Sequence, residues 1–250
     1  MQKTYPTANY KDYRPSRNPY WQKIRELSTS MEAAMARPTL LGDEATEQYK
    51  GKWRQFFDVT PETLLNLELG SYHGETSIHL AKSNPQNVHL AVEWKHKMCF
   101  KGGKKARDNE LENMTFLRAN NARLPWMVAK GEVDRIWVLF PDPWTKAAHQ
   151  KWRLLNPGFL RMLGALLATG KELLIKTDHP DYAEYIQNSI KEALCFDLME
   201  AAQADKVWSL IPPTPFERIF LRQGLAIHRF SLVRNSQNVV APEEVQHVLS

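Results

Sequence analysis

Short apolar runs alternate with stretches of helical character along most of this chain, and that alternation constrains the fold more than any other feature. Runs at Leu64–Leu69, Val88–Val92, Met114–Leu117, Val133–Leu139, Glu172–Lys176 and Phe196–Ala201 read as strands, with a last one over about Leu225–Val233. Thr76–Lys82, a basic segment ending at Glu112, Pro125–Ala129, Pro157–Leu167 and Asp181–Ala193 read as the helices between them. Strands that alternate with helices make βαβ units and a mostly parallel α/β sheet. Right-handed crossovers then cover both faces with helices, and ligands bind beyond the strands' C-terminal ends. Two local expectations follow. Residues 202–217, with Pro212, Pro213 and Pro215, read as a loop, and Gly102-Gly103 should kink or loosen the basic helix.

Residues 41–234 form the expected single domain, and 235–250 read as a polar tail. Residues 1–40 read as a basic, Tyr/Pro-rich arm with some helix near Ser30–Arg37. The formal charge of +5 is modest, but it is clustered. Lys3, Lys11, Arg14, Arg17, Lys23 and Arg25 gather in the arm, and Lys95 to Arg107 holds six cations and no acid until Asp108. A third group follows Trp144. Such clusters suit a polyanionic partner, and tyrosines interleaved with the arm's cations suit stacking on bases. Two cysteines, Cys99 and Cys195, make neither a disulfide framework nor a thiolate metal site. No apolar run has the length of a membrane span, and the N-terminus lacks a signal peptide's apolar core. No membrane association is expected, and the expected compartment is the cytoplasm.

The segment Val138–Leu154, VLFPDPWTKAAHQKWRL, carries the densest chemistry. Its strand stops at Pro141-Asp142-Pro143-Trp144, where proline cannot join a sheet ladder and holds its predecessor extended. Asp142 thus stands at a strand end beside an aromatic face, followed by Lys146, His149, Lys151 and Arg153. The earlier strand ends add Glu68 before the turn Gly70-Ser71-Tyr72-His73-Gly74, then Glu93, then Asn120-Asn121. All belong on one rim. Glu93 is placed to accept from ribose hydroxyls and the amides to meet an adenine edge. An acid beside the glycine turn repels a pyrophosphate but suits the ammonium of S-adenosylmethionine, which disfavours NAD; no GxxxxGK[ST] phosphate loop occurs. No HExxH or Cys/His spacing calls for a metal.

Taken together, YKGKW (Tyr49–Trp53), LELG (Leu67–Gly70), VEWK (Val92–Lys95), FPDPWTKAAHQKWRL (Phe140–Leu154), KTD (Lys176–Asp178) and TPFERIFLRQGLAIHRF (Thr214–Phe230) resemble the bacterial tRNA (guanine-N7-)-methyltransferase family. The resemblance spans roughly residues 49–232. It implies a Rossmann-like class I methyltransferase fold, with a seven-stranded sheet whose last strand is antiparallel. It also implies transfer of a methyl group from S-adenosylmethionine to N7 of a guanosine in the tRNA variable loop; the sequence leaves monomer and homodimer both open. Carried over, it puts Glu68, Glu93, Asn121 and Asp142 at the cofactor, where the glycine turn and strand end also place Gly70, Gly74 and Asn120. It makes Asp142 the catalytic residue and puts Lys146, Asp178, Thr214 and Glu217 at the substrate. Tyr72 stands where the family's turn has its central glycine, and Asn121 replaces a frequent aspartate.

Guanine N7 offers a free lone pair, so in-line transfer needs positioning and electrostatic support rather than a strong base. Two rival expectations remain. The Asp-Pro-Trp loop is also similar to the loop of enzymes that methylate exocyclic amines. Tyr72 in the glycine turn fits a non-catalytic RNA-binding scaffold.

Overall fold

The computed structural model describes residues 18–29 and 36–237. Its strands are β1 (Leu40–Gly42), β2 (Leu65–Leu69), β3 (Val88–Glu93), β4 (Met114–Arg118), β5 (Val133–Leu139), β6 (Leu167–Thr177), β7 (Phe196–Leu198) and β8 (His228–Arg234). Its helices are α1 (Pro19–Thr29), α2 (Trp53–Phe56), α3 (Glu75–Ser83), α4 (His96–Asp108), α5 (Leu124–Met127), α6 (Pro157–Leu166), α7 (Pro180–Ala193), α8 (Ala201–Trp208) and α9 (Pro215–Arg222). The sheet runs β1-β4-β3-β2-β5-β6-β8-β7. Pairing is parallel from β1 to β6 and antiparallel on both sides of β8.

Burial explains the apolar runs. Every residue of β2 and β3 is buried, as strands covered on both faces must be. Alternate residues face opposite layers: Leu117 belongs to one buried cluster with Leu67, Phe159 and Ile186, while Met114 and Phe116 belong to another with Ile24, Ile78 and Cys99. A third cluster joins Trp137 and Leu174 to Val207 and Trp208 of α8. Among the described residues no helix is long and apolar enough to cross a membrane.

Four expectations are corrected. The sheet has eight strands rather than seven, because three-residue β1 pairs with β4. Its brevity hides it from periodicity. Residues 202–217 are not a loop: α8 and the first residues of α9 occupy most of them, with the prolines before α9 and at its first position. Within the stretch read as an arm, α1 is a helix that buries Ile24 and Leu27, one turn apart. The helix expected near Ser30–Arg37 falls mostly on residues outside those described, as do residues 1–17 and 238–250. Finally, α4 is continuous through Gly102-Gly103. A Cβ at Gly102 would lie 2.3 Å from the Phe116 ring, and one at Gly103 2.7 Å from Leu40. The glycines let α4 lie close on β1 and β4 rather than kink it.

Candidate active site

Along the chain, β3 and β4 extend the sheet on one side of β2, and β5 and β6 extend it on the other. That reversal opens a crevice at the strands' C-terminal ends, where doubly wound sheets bind ligands. A cavity of about 390 Å³ lies there, and its walls bring together Glu68, Gly70, Glu93, Asn120, Asn121 and Asp142. The volume is that of a small-ligand site.

The two glutamates are fixed by the sheet. Glu68 Oε2 accepts from Ser77 N at 3.0 Å and from the Ser77 hydroxyl. Burial lifts its pKa to about 7, against the pull of those hydrogen bonds. Glu93 accepts through Oε2 from Tyr72 N at 2.9 Å and through Oε1 from Lys95 N at 2.7 Å. Burial raises its pKa too, and the two backbone donors oppose the rise. Each Glu93 oxygen keeps a second lone pair, enough for a diol. Asn120 uses its side-chain oxygen to cap the turn at Ala122 N, 2.9 Å away.

Tyr72 has a φ of 53°, the left-handed geometry a glycine adopts without cost. For tyrosine this costs roughly 1–2 kcal/mol, and the hydrogen bond to Glu93 helps to hold it. Its ring lines the cavity and meets Phe216 of α9, with centroids 5.6 Å apart. Gly74, by contrast, is not in the cavity wall. It begins α3 at a φ of 77°, and a Cβ there would meet Phe116 at 2.2 Å. Its role is to let the turn pack.

Asp142 is held differently. It is exposed, on an arch whose feet, Phe140 and Trp144, both have left-handed φ angles, 53° and 47°. Phe140 N donates to Lys176 O at 2.9 Å, extending the β5–β6 ladder by one bond. Trp144 packs edge-on against Trp152, 5.1 Å away, and Trp152 stacks on His149 at 4.5 Å. Lys146 and Lys151 are exposed and outside the cavity wall, whereas Arg153 is buried. Arg153 is therefore unavailable as the phosphate contact its place in the basic run suggests.

The remaining substrate candidates divide. Thr214 lines the cavity and caps α9, its Oγ1 accepting from Glu217 N at 3.1 Å. Glu217 is the buried residue of α9, and both its oxygens accept from Lys176 Nζ, at 2.9 and 2.8 Å. Burial depresses the Lys176 pKa, and Glu217 opposes that shift. Asp178 follows β6, half-buried and outside the cavity wall. Residue patterns did not single out four aromatics of the wall: Trp94, Phe140, Trp152 and Phe216. Trp94 directly follows Glu93 at a strand end, the signal that could have found it. Among the described residues no group of His, Cys, Asp and Glu is arranged to hold a metal.

A doubly wound sheet with an acid-lined cavity at its switch point is the architecture of class I methyltransferases. Solved structures agree at the level of fold. The 16S rRNA methyltransferase KamB superposes with a TM-score of 0.53 at 20% identity, over 74% of this chain and 93% of that one. An antibiotic-related methyltransferase gives 0.51 at 14%, over 72% and 92%. The family profile described as "Putative methyltransferase" matches residues 62–230. The tRNA (guanine-N(7)-)-methyltransferase of Prochlorococcus marinus (strain MIT 9313) is 34% identical over 72% of this chain and 78% of its own length. That of Bacillus licheniformis is 30% identical over 73% and 85%. The chain belongs to the tRNA (guanine-N7-)-methyltransferase family, whose methyl donor is S-adenosylmethionine.

Proposed function

We propose that this enzyme methylates N7 of a guanosine in the variable loop of tRNA, with Asp142 as the catalytic residue. The observation that carries the reading is that Asp142 shares one cavity with Glu68, Glu93, Asn120 and Asn121. The donor set fits S-adenosylmethionine: a hydrogen-bonded diol acceptor in Glu93, amides for a base edge, and a buried carboxyl in Glu68 for a cationic arm. When bound, the cofactor supplies a methyl group activated by its sulfonium.

Asp142 takes no proton from N7, because the lone pair is already free. Its carboxylate accepts hydrogen bonds from the guanine edge and offsets positive charge growing on the purine. Trp144 and Trp152 line the same cavity as Asp142. In duplex RNA, N7 lies in a groove too deep and narrow for side chains, so the target is a loop base drawn from its stack. Lys146 and Lys151, exposed beside the cavity, contact the flanking phosphates. Thr214 reaches the substrate side of the wall, Asp178 contacts the RNA, and Glu217 serves by seating α9 through Lys176.

The test is to incubate the protein with tRNA and labelled S-adenosylmethionine, digest the RNA and identify the modified nucleoside. 7-Methylguanosine in the variable loop is expected. Methylation of an exocyclic amine would transfer the assignment to the related amine-modifying chemistry. Absence of cofactor binding would favour an RNA-binding scaffold.

A further inference from the structure

We propose that Arg153 is a positioning residue for the transfer step: its buried guanidinium pins the Pro141–Trp144 arch and so sets where Asp142 stands on the rim. Only 5% of Arg153 is exposed. Its Nε donates to the carbonyl of Pro143, the residue after Asp142, at 2.9 Å. Its guanidinium carbon lies 5.2 Å from the Tyr182 ring centroid and 5.0 Å from that of Tyr185, both on α7. The Tyr182 hydroxyl accepts from Leu155 N at 3.2 Å, fixing the chain just beyond Arg153 to the same helix. Among the described residues no carboxylate pairs with Arg153. Two aromatic faces and a carbonyl thus offset the hydration this cation loses.

The arch needs such a tie. Phe140 and Trp144 hold left-handed φ angles that a released chain would abandon. The bond from Phe140 N to Lys176 O secures one foot to the sheet. Arg153 secures the other to α7. Proline rings fix φ at residues 141 and 143. Release of the Pro143 carbonyl therefore leaves the torsions of Asp142 and Trp144 as the main freedom, and the carboxylate moves.

This inference rests on the role proposed for Asp142, and a double-mutant cycle under single-turnover conditions tests it, with tRNA and cofactor saturating. Arg153→Met keeps the side chain's length and removes its donor. It is expected to slow methyl transfer roughly 10- to 100-fold, the effect of a misplacement near 1 Å. Affinity for tRNA, its salt dependence and affinity for S-adenosylhomocysteine should stay within about twofold. In an Asp142→Asn background, the same substitution should cost less than about twofold more, because the group it places is gone. Losses that multiply in the cycle would overturn the proposal. So would weaker tRNA binding with a shallower salt slope, the mark of a phosphate contact. Near-wild-type transfer by Asp142→Asn alone would remove the role of Asp142 first, and this inference with it. Should Arg153→Met fail to fold, Arg153→Lys, which keeps the charge without the planar fork, enters the same cycle under the same criterion.

Discussion

Glu68 and Asp142 stand on the rim of one cavity, yet opposite means hold the two carboxylates there. Glu68 sits within a buried strand, pinned by Ser77 and short of water. Asp142 is exposed on an arch with two left-handed feet, and its position depends on ties to β6 and α7. A ligand group on a strand inherits the sheet's rigidity. One on an arch gains access to a large substrate and must be braced from outside.

Three substitutions probe this contrast. Asp142→Asn should show the largest effect, a loss of turnover of roughly 10²–10³-fold with unfolding temperature unchanged. Single-turnover kinetics and a thermal melt check both halves; a stability loss would mean that the Asp142 carboxylate helps to hold the fold. Glu217→Gln should behave in the reverse manner. It strips the countercharge from buried Lys176 and should destabilise the fold by about 3 kcal/mol, the low end for a broken buried pair because glutamine keeps a hydrogen bond. Urea unfolding measures it, and an unchanged midpoint would show that α9 is seated without that pair.

Glu68→Gln should have the smallest effect, visible in its pH dependence. Burial raises the Glu68 pKa to about 7, so the folded chain holds this proton more tightly than the unfolded one. The resulting stability is full below the ordinary carboxylate range and is lost as pH rises to about 7. In free enzyme, Glu68→Gln should therefore flatten the decline in Tm between about pH 5 and pH 8. At the upper end its Tm should exceed that of the unmodified protein, by roughly 2–4 °C for each kcal/mol recovered. Parallel curves would show that Glu68 ionises freely.

The strand-borne half of the site was the legible half. An apolar run announces a buried strand, and polar residues at or just past its end announce the rim; Glu68, Glu93 and Asn121 are visible in this way, and Asp142 is visible through the prolines that flank it. What local pattern does not carry is side-chain direction. Arg153 belongs to a basic run by composition and to the interior by packing, because Tyr182 and Tyr185 come from a distant helix. Glu217 reads as a polar site residue until Lys176 is found beneath it. Gly102-Gly103 reads as a break until Phe116 and Leu40 fill the space that side chains would need. In each case the deciding neighbour comes from another element of the fold.

The sheet's two outer strands have a consequence of their own. β1 and β7 are each three residues long, and α1 packs beside β1. An eight-stranded sheet could offer long rows of unpaired amides and carbonyls at its margins, which recruit other chains into cross-β stacks. Among the described residues, each outermost strand itself offers little more than one hydrogen-bonding repeat. The breadth that builds the crevice thus ends, on each side, in a strand too short to template a long cross-β row.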